Sequence, residues 1–182
     1  MELIATNILE VKLLKPRCFE DVRGFFFESY NQHSFAKIGL NDEWVQDNHS
    51  CSTQSGTIRG MHYQTAPAAQ AKLVRVIRGS IYDVAIDIRT DSPTRGQYVG
   101  VELSAENKLQ LYVPVGFAHG FCTMENNTEV LYKTTALYSP ECESGIRWDD
   151  PDIGINWPVS SDQVTIVGRD AELPLLREQT KF

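Results

Sequence analysis

The densest concentration of reactive side chains in the sequence is Ile58-Arg59-Gly60-Met61-His62-Tyr63-Gln64, followed by Gln70-Ala71-Lys72-Leu73-Val74-Arg75. An imidazole, the side chain whose ordinary pKa lies nearest neutrality, stands there among three cations. Strict alternation along a strand puts Arg59 and His62 on opposite faces, but Gly60 offers a bulge that re-aims its neighbours. Tyr132 and Tyr138 share parity on the segment Glu129 to Tyr138, so a strand over its whole length points both into one space. A phenol holds its proton at neutral pH and can serve as acid where histidine serves as base. A carboxylate on the second ring nitrogen would fix the tautomer of that histidine. Asp170, in Gly168-Arg169-Asp170-Ala171, is one candidate, and Asp83, on a polar strand face, is its rival. Such a set suits proton transfer, although a hydrogen-bonded core histidine and packed tyrosines would satisfy the same pattern.

Strands must position these groups. Between Tyr82 and Arg89 the positions Tyr82, Val84, Ile86 and Ile88 alternate with Asp83, Ala85, Asp87 and Arg89, which predicts a strand with unlike faces. Lys72 to Arg78, Tyr98 to Leu103, Leu109 to Val113 and Glu129 to Tyr138 read the same way, separated by turns such as Arg78-Gly79-Ser80 and Asp91-Ser92-Pro93-Thr94. Pro114 to Phe121, which carries His119, reads as an aromatic, glycine-rich turn after a strand. Short strands without long helices between them predict antiparallel pairing in a mostly β sandwich or barrel. The helix candidates are short: Asn31 to Ile38, stopped by Gly39, and a turn near Ala171 to Arg177 broken by Pro174. With 182 residues and no linker or repeat, residues 1–182 are expected to form a single domain.

Composition narrows the function. Seventeen Lys and Arg against 24 Asp and Glu give a net charge of −7, so general nucleic-acid binding is disfavoured and an anionic ligand needs a local cluster of cations. No stretch approaches the roughly 18 apolar residues of a membrane span. Met1 to Asn7 does not read as a signal peptide, and Cys18, Cys51, Cys122 and Cys142 lie far apart, so a cytoplasmic protein with reduced cysteines is expected. Arg23-Gly24-Phe25-Phe26-Phe27-Glu28 sets three aromatics between an Arg suited to phosphate and a Glu.

Pro114-Val115-Gly116-Phe117-Ala118-His119 is similar to the second signature of the cupin superfamily, whose metal-binding members add a His-x-His pair and a Glu on an earlier strand. Here that strand offers only His62, and Arg59 and Lys72 would repel a cation, so no metal site is expected. The ordered set of Arg23 to Glu28, Gln46-Asp47-Asn48-His49-Ser50, Arg59 to Gln64, Lys72 to Arg75, Pro114 to Phe121, Tyr132-Lys133, Tyr138-Ser139-Pro140-Glu141 and Ile146-Arg147-Trp148-Asp149-Asp150-Pro151 resembles the dTDP-4-dehydrorhamnose 3,5-epimerase family, from about Ile8 to Leu176.

That resemblance implies a double-stranded β-helix (jelly-roll) barrel, a homodimer, a dTDP-sugar substrate and neither metal nor organic cofactor. The implied reaction inverts C3 and C5 of dTDP-4-dehydro-6-deoxy-D-glucose. His62 matches the family's base, with Asp170 as its dyad partner, Tyr132 matches the acid, and Lys72 would steady the enolate oxygen. Arg23, Glu28, Gln46, Asp47, Asn48, Arg59, His119, Glu143 and Arg169 match substrate contacts, and Tyr138 would stack on the thymine. The family often has Lys at the position of Arg169 and Leu at that of Met61. A single-centre epimerase or ketoisomerase on a related dTDP-4-keto sugar would share most of these motifs. A metal-dependent cupin oxygenase and a non-catalytic nucleotide-sugar binding module are the readings from other classes.

Overall fold

Alternating side chains oblige each strand to bury one face, and the strands do so by pairing into two antiparallel sheets with a shared interior. The computed structural model describes residues 1–179. One sheet has the order β1 (Glu2–Ile4), β2 (Lys12–Lys15), β10 (Gln110–Val113), β7 (Lys72–Arg78), β12 (Thr128–Thr134) and β5 (Gln46–Ser52). The other runs β13 (Glu143–Gly145), β6 (Ile58–Gln64), β11 (Phe117–Thr123), β8 (Ser80–Asp87) and β9 (Tyr98–Ser104). A separate hairpin joins β3 (Cys18–Asp21) to β4 (Gly24–Phe27). The result is the mostly β jelly-roll barrel expected from the sequence.

Between the sheets, Leu13, Val74, Leu111 and Val130 meet Ile81, Ala85, Val99, Phe117 and Phe121 in one apolar cluster. The outer face of the second sheet is not left to water. Met61, Tyr63, Val84 and Ile86 pack there beneath Ile146, Trp157 and Leu176 of the C-terminal segment. The alternation read at Tyr82 to Arg89 therefore separates two buried faces, and the one bearing Asp83 looks into the barrel. A polar residue on an inward face is costly unless something there uses it.

Several boundaries depart from expectation. Lys72–Arg78 is as read, but the segment expected to run from Glu129 to Tyr138 stops as a strand at Thr134, where its partner β5 begins at Gln46. Beyond it the Gln64 and Gln70 side-chain amides donate to the Leu137 and Ala136 carbonyls, which holds the chain as a loop. Pro114 to Phe121 is mostly strand rather than turn, because β11 is central and pairs with both β6 and β8. Helix α1 (Gln32–Ala36) falls where expected, with Asn31 capping it through Ser34 N and the Gly39 amide closing onto Ala36 O. The later helix, α2 (Gly168–Ala171), lies earlier than Ala171 to Arg177, and Leu176–Glu178 forms a separate 3₁₀ turn. A residue before proline avoids the helical region, so no helix passes through Leu173-Pro174.

Candidate active site

Positioning begins at Gly60. On β6 and β11, His62 pairs with His119 and Arg59 with Phe121, three steps on one strand against two on the other. This is a bulge, and it turns both Arg59 and His62 into the barrel as the sequence suggested. Gly60 has φ +128°, and a Cβ on it would lie 2.5 Å from Gly120 Cα. A Cβ on Gly120 would in turn lie 2.6 Å from Arg59 O, so the two glycines permit the close approach on which the aim of His62 depends.

His62, Lys72, Arg59, His119, Tyr132, Glu143, Arg169 and Asp170 line one cavity of about 420 Å³. A smaller space of about 140 Å³ adjoins it, where Gln46, Asn48 and Tyr138 join His62, Lys72, Tyr132 and Glu143. His62 and Tyr132 belong to different sheets and face the same void from opposite walls. Tyr132 and Tyr138 thus share a space, but a loop brings Tyr138 there and not strand parity. Its amide donates to Gln46 Oε1, and its hydroxyl to Glu143 Oε2 at 2.8 Å.

His62 Nε2 lies 2.9 Å from Asp170 Oδ1, and Gly60 N donates to Asp170 Oδ2 at 3.2 Å. Burial pushes the Asp170 carboxyl up, but His62, the Gly60 amide and Arg169 outweigh it, so the group titrates below the usual carboxylate range. An ionised carboxylate only accepts hydrogen bonds. Nε2 of His62 therefore carries a proton, and in the neutral imidazole Nδ1 presents the free lone pair. Asp83 has a different histidine: its Oδ1 lies 2.7 Å from Nε2 of His119. Of the two carboxylates weighed for His62, Asp170 is the one in contact.

Lys72 is 7% exposed and donates to His62 O at 3.1 Å. Burial lowers its pKa to about 8, while Asp83 and Glu143 pull the other way. Burial also raises the Tyr132 phenol, which keeps it protonated. Cations stand at the mouth. Arg169 forms two hydrogen bonds to Glu143, at 3.0 and 3.1 Å, and Arg59 is anchored to Ser52 Oγ and Cys51 O. These guanidiniums, with the Lys72 ammonium, supply the local cations that an anionic ligand needs in a chain of acidic net charge.

Three candidates lie elsewhere. Asp47, between Gln46 and Asn48 in the alternation, is 71% exposed and pairs with Lys133 at 2.8 Å. Arg23, 86% exposed, pairs with Asp21 in a groove of the β3–β4 hairpin, and Glu28 lines another groove near Asn31. Phe121, Ser50 and Ile166 line the main cavity without having been singled out from the sequence. Reading Phe117, His119 and Phe121 as alternate residues of a strand would have found Phe121. Among the described residues, no three His, Cys, Asp or Glu side chains converge as a metal site. The four cysteines are free, and no helix among the described residues is long and apolar enough to cross a membrane.

The sequence profile of the family described as dTDP-4-dehydrorhamnose 3,5-epimerase matches residues 5–178. The chain is 52% identical to the dTDP-4-dehydrorhamnose 3,5-epimerase of Salmonella typhimurium over 177 residues, 97% of this chain and 96% of the relative. Among solved structures, the Bacillus anthracis dTDP-4-dehydrorhamnose 3,5-epimerase with TDP and PPi bound superposes with a TM-score of 0.92 at 49% identity, covering 96% of this chain and 98% of the other. The Legionella pneumophila dTDP-6-deoxy-D-glucose-3,5-epimerase in complex with dTDP-4-keto-L-rhamnose gives 0.92 at 45% identity, covering 97% and 93%. With the fold, the length and the ordered motifs in agreement, the chain belongs to the dTDP-4-dehydrorhamnose 3,5-epimerase family.

Proposed function

We propose that this chain inverts C3 and C5 of dTDP-4-dehydro-6-deoxy-D-glucose, giving dTDP-4-dehydro-L-rhamnose, and that it acts as one cupin-like domain in the cytoplasm. The observation that carries this reading is the placement of the His62–Asp170 dyad and Tyr132 on facing walls of one cavity, with the Lys72 ammonium between the sheets. Both carbons flank the C4 carbonyl, so loss of either proton gives an enolate whose charge rests largely on one oxygen. A fixed cation in a desolvated site is the stabiliser that oxygen needs, which is the role of Lys72. Inversion requires that the proton return to the face opposite the one it left. His62 Nδ1 takes it from one side and Tyr132 supplies one from the other.

The other contacts follow the ligand's charge. Arg59, Arg169 and His119 grip the sugar diphosphate, Gln46, Asn48 and Glu143 orient it, and Tyr138 stacks on thymine. Incubation with the dTDP-4-keto sugar and separation of the products by NMR is the test. The L-rhamno product is expected. A product inverted at C3 alone would replace this reading by the single-centre one, and binding without conversion would leave a nucleotide-sugar binding module.

The working unit is a homodimer. Phe19, Phe25 and Phe26 on the β3–β4 hairpin are each more than half exposed, an apolar patch suited to cover by a second copy. Arg23 and Glu28 lie outside the cavity of their own chain, so they would reach a substrate only in the other subunit's cavity. Asp47, whose carboxylate holds Lys133, would contact the substrate beside its neighbours Gln46 and Asn48. Sedimentation equilibrium should give twice the 20.6 kDa chain mass, and a particle of one chain mass would refute the dimer.

A further inference from the structure

Asp83 is 0% exposed on the inward face of β8, yet only one of its oxygens is satisfied: Oδ1 meets His119 Nε2 at 2.7 Å, while Oδ2 has no hydrogen-bond partner among the described residues. A buried carboxylate left half-unpaired is costly unless a cation nearby offsets it. Ala85, the next inward residue of the same strand, shows that an apolar side chain fits this wall. The mechanism above gives Asp83 no task. We propose that Asp83 is a positioning residue for the epimerisation, holding His119 in one orientation and keeping the Lys72 ammonium charged beneath the reacting carbonyl.

This rests on the epimerase reading and deepens it. Lys72 is buried in the same cavity as His119, and an uncharged amine there would leave the enolate oxygen without its counter-charge. Two carboxylates favour the ammonium, Asp83 from β8 and Glu143 from β13. Glu143 is already shared with Arg169 and with the Tyr138 hydroxyl, so much of its charge is spoken for. His62 and Arg59 from β6, His119 from β11 and Tyr132 from β12 face the same space. The remaining charged pair, Arg169 and Asp170 of α2, is self-compensating at 3.6 Å. None of these is a second unpaired anion, which leaves Asp83 as the group whose charge Lys72 feels without a competing donor on Oδ2.

The test compares the wild type with Asp83→Asn in pH profiles of kcat and in ¹³C NMR titrations of the lysine Cε signals, with Lys72→Met identifying the Lys72 resonance. In the wild type, activity should fall as Lys72 loses its proton, near pH 8. In Asp83→Asn both the alkaline limb and the Lys72 titration should move down by about one pH unit, so that the variant loses about fivefold more activity at pH 8 than at pH 6. An unchanged Lys72 titration together with an unchanged profile would overturn the proposal, whatever the loss of rate. Should Asp83→Asn fail to fold, the ¹³C carboxyl signal of Asp83 in the wild type decides. A charged carboxylate from pH 6 to pH 8 supports the role and a protonated one removes it. The titrations need no turnover, so an inactive wild type would count against the epimerase reading alone.

Discussion

His62→Asn should lower kcat by about 10²–10⁴-fold, the usual contribution of a positioned general base, while dTDP binds within a few fold of the wild type. The asymmetry follows from where His62 sits. Its Nε2 is committed to Asp170, and the cations that would hold the diphosphate, Arg59 and Arg169, have their own anchors on β5 and β13. Losing the imidazole removes the ring nitrogen that Asp170 of α2 aims into the cavity from that wall. Asn is the informative replacement because its amide can still donate toward the buried Asp170. Alanine would leave that carboxylate without its partner, at about 1–3 kcal/mol of stability. Steady-state kinetics and calorimetric titration with dTDP check both halves. A variant that keeps more than about a tenth of wild-type kcat would exclude His62 as the base.

Tyr132→Phe should reduce formation of inverted product by about 10²-fold or more while leaving the fold intact. The ring packs against the Val74, Leu111 and Val130 cluster, so a phenyl keeps the volume and only the hydroxyl is lost. Burial holds the proton on the phenol, and the substitution leaves untouched both the base on the opposite wall and the Lys72 ammonium on the neighbouring strand β7. The variant should therefore still open the C–H bond, forming an enolate that can be reprotonated only from the His62 side. Chiral product analysis beside the parent enzyme measures the loss.

The sequence made most of the barrel visible, because period-two alternation survives wherever a strand has two unlike neighbours. The bounds of Lys72–Arg78 and the bulge at Gly60 were legible for that reason. Where turn-forming residues serve packing, the pattern misleads. Pro114, Gly116 and Gly120 suggested a turn around His119, yet Gly120 is there because β6 passes within contact of it. The run from Glu129 to Tyr138 looked like one strand because its alternation continues past Thr134, while its end is fixed by distant Gln64 and Gln70. The partner of His62 lies 108 residues away in sequence and that of His119 lies 36 away, and nothing local distinguishes Asp170 from Asp83. Resemblance placed Arg23, Glu28 and Asp47 at the substrate, and in the isolated chain none of them lines the cavity.

The facing of base and acid across the ring is tested by running Tyr132→Phe in deuterated water with the dTDP-4-keto sugar and following both label and configuration by NMR. Deuterium should enter C3 of sugar whose configuration is retained, at a rate well above that of inversion. Inverted product forming at the wild-type rate would contradict opposite-face transfer. So would a complete absence of exchange, since His62 would then not be working from its own side.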